Sequence, residues 1–168
     1  DLYRYRRSYS GGITRWPHCL RSCHSISGVA MIAFHFDIIT DKNQISLEEN
    51  EILLHDVIGS MSLSTDNEKL YQSNNVMILV VIIEIANAIT RACIQGIGTR
   101  LSIMMEPIID MTPHSDDVEF IDIDGGDPIA VESKIDLIKL RDNILAKLRL
   151  LNPVYFEVVK RRLLSTAS

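Results

Sequence analysis

The sequence of this chain predicts an α+β fold, in which strands and helices are mixed rather than strictly alternating. Three observations support this prediction: a strand-like alternation in Val29–Ile39, a helix-capping box at Ser46–Glu49, and an Asn152-Pro153 pair typical of a helix start. The chain has 168 residues, of which 46% are hydrophobic, so it is long enough to bury the core of one domain.

The first third of the chain predicts a strand, a helix and a second strand. Apolar and polar residues alternate in the second half of Val29–Ile39, which favours a strand with one buried face. The capping box then opens a helix that carries apolar residues as far as Met61. After a polar stretch, a short strand is predicted over Lys69–Gln72.

The run Val76–Ile83 is apolar on every side, which fits either a buried strand or a core helix. Its many Val and Ile residues favour the strand, as does the pair Asn74-Asn75 as a hairpin turn before it. The alternative is one helix over residues 75–95. From Glu84 onward both interpretations predict a helix, which Gly96 ends.

The second half of the chain is predicted to contain two strands, a long helix and a final helix. The patterns indicate a strand over Thr99–Met105, a loop over 107–117, a strand over Val118–Asp124, a helix from Asp127-Pro128 to about Leu151, and a last helix from Asn152-Pro153. From residue 29 the order is β-α-β-β-α-β, followed by a strand and two C-terminal helices. That order predicts a ferredoxin-like or palm core.

Charge divides the chain into two parts. Residues 1–28 hold five of the 17 basic residues and one of the 22 acidic ones, and we predict a basic N-terminal tail or arm there. Residues 29–168 then form a single α+β domain with 12 basic and 21 acidic residues. Because this body is acidic, nucleic acid is an unfavourable partner for it.

The chain is expected to be soluble and intracellular, in the cytoplasm or an organelle. Its three cysteines are an odd number and no secretory signal is visible, which favours reduced thiols. The longest apolar run, Val76–Ile83, is far shorter than a membrane span, and the charged residues Glu84 and Arg91 interrupt its continuation.

Two polar residues stand where a palm domain would hold metal. Asp37 ends the first predicted strand, and Asn75 lies in the predicted turn before the next apolar run. Two carboxylates at such positions can hold divalent metal against a nucleotide phosphate. Asn75 is a neutral ligand, so only half of the usual acidic pair is present.

Around these residues the chain resembles the class III nucleotidyl cyclase homology domain over about residues 29–140. The resemblance rests on the order and spacing of four segments: Phe36-Asp37-Ile38, Asn74-Asn75, Gly96–Ile103 and Gly126–Lys134. The departures fall on the chemical positions, where this chain has Asn75 for the second metal acid, Ala130 for an asparagine and Lys134 for an arginine.

The resemblance implies a site for Mg²⁺ or Mn²⁺ with a nucleotide. Asp37 and Asn75 would be the metal ligands, and Lys134 and Arg100 would bind the cofactor, Lys134 through a phosphate. Since the second metal acid is missing, the leading hypothesis is a non-catalytic or weakly active domain that serves as a binding or regulatory subunit and recognises a nucleotide.

Two other functions fit the sequence. One is a purely structural subunit of a larger assembly, in which the basic tail and the last two helices contact a protein partner or a second copy. The other is a restriction-type nuclease component, because Asp122, Glu132 and Lys134 follow an Asp…Glu-x-Lys pattern. That chemistry requires Glu132 and Lys134 side by side on a strand, whereas Pro128 as a helix start argues against a strand there.

Overall fold

A computed structural model describes residues 31–39 and 54–165 of the chain. The predicted basic tail over 1–28 and the capping box at Ser46–Glu49 lie outside these residues. The strands are β1 (Ala33–Ile38), β2 (Ile58–Ser64), β3 (Lys69–Met77), β4 (Thr99–Ile103), β5 (Glu106–Pro113), β6 (Asp117–Asp122) and β7 (Ala130–Ser133). The helices are α1 (Ile78–Cys93), α2 (Lys134–Leu151) and α3 (Pro153–Lys160).

The strands form two antiparallel sheets, which confirms the α+β class. The first sheet has the order β1-β2-β3 and the second has the order β4-β5-β6-β7. Residues 54–56, between β1 and β2, are helical, so the order β-α-β-β-α-β is present from β1 to β4. These strands do not form one sheet. β1, β2 and β3 form the first sheet, whereas β4 pairs with β5 and belongs to the second.

Helix α1 lies at the centre of the core. It packs against α2, α3 and strands of both sheets, and ten of its 16 residues are buried. The segment Ile78–Gln95 is long and apolar enough to cross a membrane, with a mean hydropathy of 1.7, yet 61% of it is buried inside the fold. This burial is what the core helix of a soluble protein shows; the cellular compartment stays a prediction.

The strand predicted over Val76–Ile83 is wrong in its larger part. β3 ends at Met77 and α1 begins at Ile78, so the helical alternative is closer to the structure. The pair Asn74-Asn75 lies inside β3 rather than in a hairpin turn. The segment forms a helix because it lies in the core, among the sheets and the other helices. A helix that is apolar on every side is stable when its surroundings bury it.

Two further boundaries differ from the sequence prediction. The predicted first helix reached Met61, whereas β2 already begins at Ile58. The predicted loop over 107–117 is mostly strand β5, which returns from β4 through Met104 and Met105 at φ 54° and 67°. Side chains at positive φ are rare, so the sequence carries no turn signal at these two methionines.

The start of α2 is also later than predicted. The helix begins at Lys134 instead of Asp127-Pro128, and the residues before it form β7. Ser133 is the N-cap, and its hydroxyl accepts a hydrogen bond from the Asp136 amide at 3.1 Å. The predicted start of the last helix is confirmed, because the Asn152 side chain accepts hydrogen bonds from the amides of Val154 and Tyr155.

Side chains from the second half of the chain hold the edge strand β1. The buried Glu132 of β7 accepts a hydrogen bond from the Ile32 amide at 2.8 Å. Lys147 of α2 donates a hydrogen bond to the Phe36 carbonyl, and its ammonium lies 4.4 Å from the centre of the Phe36 ring. The two sheets and α2 are therefore tied together at β1.

Candidate functional site

The two residues predicted to bind metal lie on the exposed face of the first sheet, on its two outer strands. Asp37 of β1 pairs with Ser60 of β2, and Asn75 lies in the register shift of β3 next to Val76, which pairs with Gly59. Two strand spacings separate Asp37 from Asn75, roughly 10 Å. The Asp37 side chain is 82% exposed, and its Oδ1 is 3.8 Å from Lys147 Nζ.

The two residues predicted to bind a cofactor lie elsewhere. Lys134 is the first residue of α2, and its Nζ donates a hydrogen bond to the Ser115 carbonyl at 3.1 Å. Arg100 is on β4 in the second sheet. The structure therefore does not bring Asp37, Asn75, Lys134 and Arg100 together. Within residues 31–39 and 54–165, no three His, Cys, Asp or Glu residues are grouped as a metal site would require.

The nuclease pattern is also dispersed. Glu132 does lie on a strand, contrary to the prediction of a helix there, but it is buried and its carboxylate accepts the Ile32 amide. It pairs with Val118, four residues from Asp122 along β6. That separation corresponds to roughly 13 Å along the strand.

Arg100 takes part in a different polar site, a cleft between α1 and β4. The cleft has a volume of about 250 Å³. Glu84, Asn87 and Arg91 follow one another at helical spacing and so line one side of it from α1. The helix ends at Cys93 with Ile94 as its C-cap, and Gly96, at φ 65°, lets the chain turn into β4. The other side is lined by Thr99, Arg100 and Ser102.

Glu84 is the chemically unusual residue of this cleft. One carboxylate oxygen accepts a hydrogen bond from the Met104 amide. The other, Oε2, is buried and has no hydrogen-bond partner among the described residues. Burial raises the pKa of Glu84, and the bond from Met104 acts in the opposite direction. A buried oxygen without a partner is unfavourable, so a donor that reached it would stabilise the site.

Two arginines supply positive charge to the same cleft. The Arg100 Nε and Nη2 donate to the two oxygens of Asp110 at 2.7 and 2.8 Å, which fixes the plane of the guanidinium. This contact holds the pKa of Asp110 below its usual range. Since three of its five donors remain, Arg100 can still bind a second anion. Arg91 is exposed, and no ion pair to its side chain is found in the described part of the chain.

Asn87 has a structural role at one end of the cleft. Its Nδ2 donates to the Arg162 carbonyl at 3.2 Å, and its Oδ1 accepts the Leu164 amide at 2.8 Å. The segment after α3 is thereby fastened to α1. With its amide group used in this way, Asn87 supports the wall of the cleft and leaves ligand contact to Glu84, Arg91 and Arg100.

The sequence did contain a signal for this site. Glu84 and Arg91 interrupt an otherwise apolar segment, and a charged residue on a core helix needs a partner or a cleft. Only the structure shows that β4 brings Arg100 to the same place. No family model matches this chain, and neither characterised proteins nor solved structures show significant similarity to it. The geometry of the cleft is therefore the main evidence for a function.

Proposed function

We propose that this protein is a non-catalytic binding domain that takes a small anionic molecule in the cleft between α1 and β4. The observation that carries the proposal is the buried Oε2 of Glu84, which has no hydrogen-bond partner among the described residues, in a cleft that also contains Arg91 and Arg100. Binding in this cleft would make the protein a ligand-dependent regulatory subunit.

The lining residues define the class of ligand. Guanidinium groups favour phosphate and carboxylate, which they bind with two parallel hydrogen bonds. Glu84, when ionised, accepts a hydrogen bond from a hydroxyl or amine, and when protonated it donates one to an oxygen. The ligand would therefore carry an anionic group at one end and a hydroxyl or amine at the other.

A nucleotide is one member of this class. The cleft of about 250 Å³ is smaller than most sites for drug-sized ligands. It suits a phosphate group with the rest of the nucleotide outside, or a smaller phosphorylated or carboxylated molecule as a whole. The resemblance to the cyclase homology domain keeps Mg²⁺- or Mn²⁺-ATP in the test, with Asp37 as the expected metal ligand.

The test is thermal unfolding and calorimetric titration with four probes: ATP, ATP with Mn²⁺, inorganic phosphate and glycerol 3-phosphate. A ligand at about a hundredfold excess over its Kd should raise the Tm by roughly 5 °C or more. Arg91→Ala and Glu84→Gln should each weaken binding about tenfold or more. Arg161→Ala removes an exposed arginine at the end of α3 and is the matched control.

Three outcomes are informative. If none of the probes shifts the Tm or gives heat, the proposed cleft function is refuted. Binding that survives Arg91→Ala and Glu84→Gln would place the ligand elsewhere. ATP binding that requires Mn²⁺ and is lost in Asp37→Ala, but not in Arg91→Ala or Glu84→Gln, would assign the nucleotide to the metal site predicted from the sequence and not to the cleft.

A further inference from the structure

The groove between α2 and α3 is a second concave surface, separate from the cleft. Its volume is about 730 Å³, and most of its lining is apolar. Leu150, one of its lining residues, is 86% exposed, and Leu151 and Val154, which adjoin lining residues along the chain, are 52% and 41% exposed. Large apolar side chains grouped at such exposure mark an interaction surface more often than a plain solvated one. We call this the α2–α3 groove; it is lined by Asp142, Leu145, Arg149, Leu150, Pro153 and Phe156, with Ala146 between them.

The charge around the groove is opposite to that of the rest of the protein. Residues 142–165, which include all the groove residues, contain five basic and two acidic residues, a net charge of +3. The other described residues, 31–39 and 54–141, contain six basic and 15 acidic residues, a net charge of −9. A basic patch of this kind on an acidic body selects an acidic partner and speeds its approach.

Basic side chains stand directly at the apolar floor. The Arg149 guanidinium lies 5.6 Å from the centre of the Phe156 ring, and the Lys160 ammonium lies 6.0 Å from it. Both charged groups thus lie over this ring, and the Lys160 ammonium is also 3.9 Å from the Glu157 carboxylate. The groove thus presents an apolar centre with a cationic border, which matches an amphipathic helix whose polar face is acidic.

We propose that the α2–α3 groove docks an acidic amphipathic helix of a partner protein. The helix would place apolar side chains at i, i+3 or i+4, and i+7 against Leu145, Leu150 and Phe156, with carboxylates toward Arg149 and Lys160. Two helices at 8–10 Å separation pack in this manner in general. This inference is independent of the anion cleft, because the two sites share no lining residue.

The experiment is selection of displayed random peptides of about 16 residues, roughly four helical turns, on the immobilised full chain. Enriched peptides should be acidic and carry large apolar residues at helical spacing. Arg149→Glu and Leu150→Ser should each weaken a selected peptide about tenfold, and added salt should weaken it further. Both residues are exposed, so the variants should fold; Lys69→Glu and Ile135→Ser are the matched controls.

The following outcomes would overturn the proposal. They are no enrichment over the starting library, enrichment of neutral or basic peptides, or peptide binding that the two variants leave unchanged. Two separate measurements address other occupants. Binding to phosphatidylserine vesicles that Leu150→Ser removes, without peptide enrichment, would assign the groove to a membrane surface. Concentration-dependent dimerisation removed by the same variant would assign it to a second copy.

Discussion

Of the glycines in the described residues, Gly59 has the closest neighbours around the position of an added Cβ, and its replacement by alanine tests the packing of the first sheet. The residue lies on β2 between Ile38 of β1 and Val76 of β3. A Cβ atom at Gly59 would lie 2.3 Å from the Asp37 carbonyl oxygen and 2.8 Å from Ile78 Cβ. Both distances are far below van der Waals contact, and neither neighbour is the mobile end of a side chain.

The cost follows from what has to move. Overpacking a core commonly costs about 1–3 kcal/mol. At Gly59 the added methyl group must displace the backbone of β1 and the first residue of α1 together, which points to about 3 kcal/mol. For a domain of this size that lowers the Tm by roughly 6–12 °C.

Gly98→Ala is the matched control. Its added Cβ would meet only the Met111 carbonyl oxygen at 3.7 Å and Pro113 Cδ at 3.9 Å, both ordinary contacts. Reduced freedom of the unfolded chain should make this variant neutral or more stable by about 0.4–1 kcal/mol. Thermal and urea unfolding followed by circular dichroism measure both variants. Equal stabilities for Gly59→Ala and Gly98→Ala would refute the described contact of β2 with β1 and α1.

Three other predictions concern single side chains. Burial raises the pKa of Glu84, so its carboxyl adds stability below the unfolded pKa, and this contribution is lost as pH rises through the folded pKa. The free energy of unfolding of Glu84→Gln should therefore rise relative to that of the wild type between pH 4 and 7, roughly the range for such carboxyls. A difference in free energy of unfolding that does not change with pH would contradict this. Burial raises the pKa of Cys93 to about 11. Its alkylation at neutral pH should therefore be much slower in the folded protein than in the urea-unfolded protein, as measured by peptide mass spectrometry. Equal alkylation rates would argue against the described burial. Asn152→Ala removes a side chain that accepts hydrogen bonds from the amides of Val154 and Tyr155, and should lower the free energy of unfolding in urea by about 1 kcal/mol. Asn152→Ser and Asn152→Asp should retain most of this stability. An unchanged free energy of unfolding for Asn152→Ala would show that α3 does not depend on this cap.

Local sequence chemistry predicted those features whose causes are local. The Asn152-Pro153 start of α3 and the stop near Gly96 are confirmed, because a cap or a left-handed residue acts within one turn. The strand around Phe34 and Phe36 is confirmed for the same reason, since alternation is read residue by residue. The α+β class followed from the sum of such local patterns.

Features that depend on distant residues could not be predicted in this way. The segment from Ile78 is helical because packing against two sheets, α2 and α3 buries ten of its 16 residues, whereas its Val and Ile content favours a strand. Asn75 was expected near Asp37 because it was predicted to lie in a turn, whereas it lies within β3 and the strand β2 separates the two residues. The position of β4 in a second sheet separates Arg100 from both. The cleft depends on Glu84 and Arg100 meeting across the turn at Gly96, which no spacing in the sequence encodes.

The contact between Lys147 and β1 has a consequence for association between copies of this protein. Among the strands of residues 31–39 and 54–165, β1 has a neighbour on one side only, so its outward carbonyls resemble those on which an incoming strand would add. The Lys147 ammonium already occupies the Phe36 carbonyl and places a positive charge on that margin. A strand from another molecule would have to displace both the charge and the helix that carries it. A lysine on a neighbouring helix thus makes the addition of another strand at this side of the sheet less favourable.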